Sequence, residues 1–282
     1  MKKGLILEGG AMRGLFTAGV MDVLMENGIE FDGAVGVSAG AAFGCNYKSK
    51  QIGRVLRYNT DYCKDPRYCS FRSLIKTGDL YGADFCYREL PETLDVFDSE
   101  TYNNDPMEFH VVAADVETGK AVYKRCDKVD DDLLEWIRAS ASMPLASRIV
   151  EVGGYKLLDG GIADSIPLKY FESIGYDKNV VVLTRPKEYR KGPNKILPLL
   201  KLVLRKYPKI IETMAQRHNE YNDTIDYVCR KEDAGEVFVI RPGEPLTIGK
   251  IEHDPEKIKD AYEAGRSVAL AKLEQLKAFL DK

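Results

Sequence analysis

Apolar residues recur along this chain with two alternating periods, and the switches between them predict strands and helices in turn. Gly4 to Leu7 is a short apolar run closed by a glycine cluster, the form of a buried parallel strand. Beyond it, Phe16, Val20, Val23 and Leu24 fall at i, i+4, i+7 and i+8, one face of a helix, with Asp22 and Glu26 off that face. Asn27-Gly28 supplies a left-handed C-terminal cap. Ala34 to Val37 reads as a second buried strand, followed by Ser38 and the small-residue run Ala39-Gly40-Ala41-Ala42 that can open another helix. Strand, helix, strand and helix in so short a span require a right-handed crossover and a parallel sheet.

Further along, Phe109 to Ala114 is a buried strand, and Thr118-Gly119 turns the chain into Ala121-Val122-Tyr123. Asp130 to Ser140 is helical, with Leu133, Leu134 and Ile137 apolar and Pro144 just beyond. Ile149 to Val152 and Tyr155 to Leu158 flank Gly153-Gly154 as a hairpin. Val180 to Leu183 is another core strand. Lys195 to Arg230 is helical with breaks at Pro198 and Pro208, Val237 to Ile240 is a strand, and Asp254-Pro255 caps a long final helix. Arg185 to Asn194, rich in Pro, Gly, Lys and Arg, is the candidate boundary between residues 1–184 and a helical extension, 185–282. The pattern is that of an α/β fold: a mainly parallel central sheet with helices on both faces.

Composition narrows the function classes. At 282 residues, 44% apolar and 30% charged, the chain is neither collagen-like nor wholly disordered. Lys and Arg total 41 against 44 Asp and Glu, a net charge of −3 that argues against a non-specific nucleic-acid partner. The six cysteines form no C-x-x-C pair and no zinc-like spacing. Glu8 interrupts the first apolar run long before a signal-peptide core is complete, and no apolar stretch reaches the roughly 20 residues needed to span a bilayer. A soluble, cytoplasmic protein with reduced thiols is expected. No metal is implied, because Asp130-Asp131-Asp132 at a helix start is accounted for by the helix dipole.

Three stretches carry chemistry. Gly9-Gly10-Ala11-Met12-Arg13-Gly14 lies between a strand and a helix, where glycines leave N–H groups open to a phosphate or an oxyanion. A tight βα turn with no ligand would use the same residues. Gly36-Val37-Ser38-Ala39-Gly40 directly follows the second strand, the setting that a nucleophile elbow requires. A Rossmann site would want an acidic residue at that strand end, whereas Asp32 precedes the strand. An ordinary α/β-hydrolase would place several strands before its elbow.

A serine hydroxyl needs a base. Of three histidines, His110 sits in an apolar strand as a hydrogen-bonded core residue, and His218 in a polar, solvated part of a helix. His253, before the final helix, is the one histidine that could serve. A carboxylate in a water-poor pocket is the alternative, which directs attention to Leu157-Leu158-Asp159-Gly160-Gly161. An Asp-Gly pair is also a common turn.

Taken in order, the three stretches resemble those of the patatin-like phospholipases. The likeness extends to about Pro167 and takes in Ala113-Ala114-Asp115 with Thr118-Gly119, and Ala141-Ser142-Met143-Pro144. Glu8-Gly9-Gly10, Met12-Arg13-Gly14 and Phe16-Thr17-Ala18-Gly19 are similar to a bacterial subgroup with a C-terminal extension. The resemblance implies a three-layer sandwich and a Ser–Asp dyad of Ser38 and Asp159, with neither histidine nor cofactor. It further implies an oxyanion hole from amides around Gly10 and Ala11, a loop placed by Arg13, and acyl esters of phospholipids as substrates. The family usually has a third glycine where this chain has Ala11, a replacement that is costly only if φ there is positive. Two other readings stand beside this one: a small-ester esterase or acyltransferase, and a non-catalytic lipid- or anion-binding protein.

Leu197, Leu199, Leu200, Leu202, Val203 and Leu204 are interleaved with Lys195, Lys201, Arg205, Lys206 and Lys209. Such a helix either packs on the core with solvated lysines or lies in an anionic lipid interface, giving peripheral contact at the inner membrane face.

Overall fold

The computed structural model of the chain describes residues 1–130 and 132–281. Strand β1 (Lys2–Leu7) leads into α1 (Gly14–Glu26), β2 (Gly33–Val37) and α2 (Ala39–Lys48). Four helical segments follow: α3 (Arg54–Tyr62), α4 (Phe71–Thr77), a wide π-type turn at Phe85–Leu94, and α5 (Ser99–Asn104). Then come β3 (Glu108–Asp115), β4 (Ala121–Arg125), α6 (Leu133–Ser140), β5 (Val150–Val152), β6 (Tyr155–Asp159), α7 (Leu168–Ser173) and β7 (Tyr176–Val182). The chain closes with α8 (Leu197–Val203), α9 (Pro208–Asp233), β8 (Val237–Ile240) and α10 (Pro255–Leu280). Helix α6 starts three residues later than the pattern suggested; of the expected start, residue 131 lies outside the described residues. Pro198 sits in the first turn of α8, where its missing N–H costs nothing, and so does not break a helix.

The strands form one sheet in the order β5-β6-β3-β2-β1-β7-β8, with β4 paired to β3. The five-strand run from β3 to β8 is parallel, and the β4, β5 and β6 pairings are antiparallel. Side chains alternate across the sheet as the pleat requires. Leu5, Leu7, Ala34, Phe109 and Val180 face the core under α1 and α2, while Ile6, Val35, Val37, Val112 and Val181 face the opposite core, with Phe171, Tyr221 and Ile225. Three layers result: helices, sheet, helices.

Helix α1 is buried on both sides, because α10 covers the face opposite the sheet. Backbones approach closely where the two cross: a Cβ at Gly19 would lie 2.0 Å from the Tyr262 carbonyl oxygen, and one at Gly265 2.0 Å from that of Phe16. Asp22, off the apolar face by its periodicity, is therefore buried at 3% exposure. Burial pushes its carboxyl above the usual range. It accepts hydrogen bonds from Tyr262 Oη at 2.6 Å and Gly53 N at 2.9 Å. Among the described residues, no helix is long and apolar enough to cross a membrane.

Candidate active site

The site arises where two strands share one edge of a third. Strand β4 occupies residues 110–114 of β3, so β2 (opposite 108–112) and β6 (opposite 113–115) must share the other edge. Val37, the last residue of β2, pairs with Val112, while Asp159, the last of β6, pairs with Ala113. The residue after Val37 is Ser38. The handover from β2 to β6 thus brings together two residues 121 positions apart, and Ser38 Oγ donates to Asp159 Oδ2 over 2.7 Å. Both are buried, at 8% and 6% exposure.

Ser38 occupies φ 55°, ψ −120°, a conformation held only by its surroundings. Its N–H donates to Ser140 Oγ at 2.8 Å, and that hydroxyl donates to the Val112 carbonyl at 2.5 Å, tying the elbow to β3. The flanking glycines are sterically required. A Cβ at Gly36 would lie 2.4 Å from the Gly40 carbonyl oxygen, and one at Gly40 2.3 Å from that of Leu7. Gly160 is equally confined, 2.1 Å from the Val112 oxygen.

Asp159 Oδ1 accepts the Gly161 N–H at 2.8 Å, which leaves Oδ2 for the serine. Burial raises its pKa; the bond from Ser38, then the Arg217 charge, oppose that shift. The result is a carboxylate more basic than one in water, as a proton acceptor should be.

The Gly9–Gly14 loop packs beside this pair. A Cβ at Gly9 would sit 3.1 Å from Ser38 Cβ. Met12 is buried, and Gly14 begins α1 against Ala39 and Phe43. The amides of Gly10 and Ala11 find no acceptor among the described residues, and both residues line the larger of the two cavities at Ser38. Ala11 adopts φ 49°, the positive value at which alanine is strained and glycine is not.

Two cavities meet at Ser38. One, of about 140 Å³, is lined by Met12, Phe43, Tyr58, Leu90, Phe97 and Ile137 and is mostly apolar. The other, of about 350 Å³, contains Arg13, Asp159, Arg185, Lys191, Arg217 and Tyr221 and is cationic. Sequence reasoning missed most of both. Residues 50–104 gave no periodic signal long enough to interpret, yet they wall the apolar cavity. Nor did any local pattern mark Arg217, whose Nε donates to the Gly161 carbonyl.

The histidines divide differently than expected. His110 is a core residue, its Nδ1 3.0 Å from Tyr170 Oη. His218 is not solvated: it is half-buried against the cationic cavity, with Nδ1 shielded and unpartnered, because α9 lies over the cleft. His253 lines neither cavity, and its Nδ1 lies 2.5 Å from the Cys63 carbonyl oxygen, so it is no base for Ser38. All six cysteines are free thiols.

Comparison with known proteins gives the family. The sequence model of the patatin-like phospholipase family matches residues 5–172, and that of a domain of unknown function, DUF6363, matches residues 207–281. The uncharacterised Escherichia coli protein YjjU is 27% identical over 280 residues, covering 93% of this chain and 74% of its own. The uncharacterised NTE family protein Rv1063c of Mycobacterium tuberculosis is 25% identical over 178 residues, 63% of this chain and 48% of its own. A solved structure, VipD from Legionella pneumophila, overlaps 97% of this chain and 67% of its own, at 12% identity and a TM-score of 0.47. With a match that spans more than half of its length, the chain belongs to the patatin-like phospholipase family.

Proposed function

We propose that the protein is a serine acyl hydrolase cleaving acyl ester bonds of lipids through a Ser38–Asp159 dyad. The observation that carries this reading is the 2.7 Å hydrogen bond from the Ser38 hydroxyl to a buried carboxylate, at the junction of an apolar and a cationic cavity. In the first step Ser38 Oγ attacks the ester carbonyl carbon as its proton passes to Asp159. The amides of Gly10 and Ala11 hold the oxyanion, each such donor being worth about 3 kcal/mol in related chemistry. Collapse breaks the ester bond, and the departing alcohol takes the proton from Asp159. Water then attacks the acyl-enzyme, giving a proton to Asp159, which returns it to Ser38. The acyl chain fits the apolar cavity.

Residues 1–184 form the catalytic unit in this reading. Residues 185–282 are an extension that adds one strand to the sheet and walls the cationic cavity. A peripheral lipid contact belongs to the same proposal. Leu200 and Leu204 are buried in a core cluster, while Ile196, Leu199, Leu202 and Val203 are between 49% and 67% exposed, so one side of the segment 196–204 packs on the core and the other carries apolar side chains into solvent. Ile196 and Leu200 also border the cavity. Charge reversal at Lys201, Lys206 and Lys209 should weaken co-sedimentation with anionic vesicles; unchanged binding would end the interfacial idea.

Labelling with a fluorophosphonate probe, followed by peptide mapping, tests the enzyme. An adduct on Ser38 supports the hydrolase. A folded but unreactive protein would favour a binding protein on the same scaffold.

A further inference from the structure

Helix α9 meets the sheet edge at Ser38 along one stripe. Thr213, Arg217 and Tyr221 recur every four residues and so share a face of the helix. Each bonds to a different loop. Thr213 Oγ1 donates to the Gly119 carbonyl at 2.8 Å, in the turn after β3. Arg217 Nε donates to the Gly161 carbonyl, just after β6. Tyr221 Oη donates to Glu8 Oε1 at 2.7 Å, at the end of β1. The second and third of these loops carry Asp159 and the amides of Gly10 and Ala11.

The Glu8 contact reaches those amides through one intermediary. Glu8 is buried, and its Oε2 accepts Thr184 N at 2.6 Å and Thr184 Oγ1 at 3.0 Å. Thr184 in turn packs against Gly10, where a Cβ would lie 2.8 Å from its Oγ1. Among the described residues, Tyr221 is the one donor to Glu8 Oε1. Without it a buried carboxylate oxygen is left unpaired, and relief comes by displacing the residue directly before Gly9.

Arg217 reaches Asp159 by an equally short path. Gly161 carries both contacts: its N–H donates to Asp159 Oδ1 at 2.8 Å, and its carbonyl accepts Arg217 Nε together with Ser165 Oγ at 2.8 Å. A Cβ at Gly161 would lie 3.0 Å from Asp159 Oδ1 and 3.2 Å from Arg217 Nη2, so carboxylate and guanidinium flank one small residue. Burial raises the Asp159 pKa, and after the bond from Ser38 the Arg217 charge opposes that rise.

Building on the proposed acyl hydrolase, we infer that α9 is a clamp that completes the active site, with Arg217 a positioning residue for Asp159 and Tyr221 a positioning residue for the oxyanion loop. Both lie in the segment matched to a domain of unknown function, residues 207–281, and outside the 5–172 span matched to the phospholipase family. The clamp gives that segment a role. The family span supplies nucleophile and base, and the extension sets their geometry and charge.

The test is the second-order rate of fluorophosphonate labelling at Ser38, followed against pH in the parent and in Arg217→Met, Arg217→Lys, Tyr221→Phe and Thr213→Val. Asp159 accepts a proton only when ionised, so loss of the Arg217 charge in Arg217→Met should move the acid limb up by about one pH unit. Arg217→Lys should return the limb toward the parent. Tyr221→Phe keeps the ring and should slow labelling about tenfold or more at every pH, with the limb unmoved. Thr213→Val removes a bond of the same stripe that touches neither Asp159 nor the oxyanion loop, and should leave rate and limb as in the parent. Thermal melts establish that each variant folds, and the position of a limb does not depend on the amount of active protein. An unmoved limb in Arg217→Met would overturn the role of Arg217, and a parental rate in Tyr221→Phe that of Tyr221. Equal slowing by Thr213→Val and Tyr221→Phe would also overturn the latter, by reducing both bonds to helix docking. A parent that folds yet stays unlabelled would instead overturn the hydrolase reading on which the clamp rests.

Discussion

The Ser38 hydroxyl donates to a carboxylate slightly more buried than itself, and among the described residues the Asp159 side chain accepts hydrogen bonds from this serine and one backbone amide alone. Burial raises its pKa, so the folded protein binds this proton more tightly than the unfolded chain does. Stability therefore falls as pH rises from the ordinary carboxylate range through the raised value, and kcat/KM should show its acid limb above that ordinary range. Asp159→Asn keeps an acceptor for the Gly161 amide and removes the buried charge. It should lower ester hydrolysis by about 10³-fold or more while raising the melting temperature at neutral pH. Near-normal turnover in Asp159→Asn would remove Asp159 from the role of base.

Space, rather than chemistry, fixes the elbow glycines. Gly40→Ala would press a methyl to 2.3 Å from the Leu7 carbonyl oxygen, and backbone cannot retreat as a flexible side chain would. A loss of about 3 kcal/mol or more, or no soluble folded protein, is expected on denaturant titration. A variant within about 1 kcal/mol of the parent would mean that the α2 start is looser than its packing implies.

Much of this arrangement was legible in the residues, and the reason is local. Strand β2 and the buried stretches of β1 and β3 are predominantly apolar because both faces are covered, and the Gly-x-Ser-x-Gly turn follows β2 directly. What no local pattern carries is the sharing of the β3 edge, which alone sets Ser38 against Asp159. The family resemblance supplied that pairing; bottom-up reading left His253 in contention. Asp22 misled for a related reason: its helix looked one-sided until α10, more than 230 residues away, covered the other side. The cationic cavity was invisible, since Arg13, Arg185, Lys191 and Arg217 look like ordinary surface charges in sequence.

Ala11 has a φ of 49°, a positive value that strains any residue with a Cβ. A left-handed alanine costs about 1 to 2 kcal/mol, from which the greater freedom of glycine in the unfolded chain subtracts about 0.4 to 1 kcal/mol. Ala11→Gly should consequently raise stability by up to about 1.6 kcal/mol in urea titrations. Hydrolytic activity should be kept, because the amide at this position is unchanged. A measurable loss of stability would place the strain elsewhere in the loop.

Lys191 gives the cationic cavity a pH signature. Its ammonium is pushed down to about 7 by burial and by Arg217, with Arg13 adding to the effect and Glu8 and Asp159 opposing it. In the unfolded chain the same group titrates near 10.5, so the folded state binds fewer protons between about 7 and 10.5, and stability rises with pH across that window. Lys191→Met should remove this rise, measured as unfolding free energy in denaturant titrations between about pH 7 and 9. The same rise in the variant would place the titrating group elsewhere.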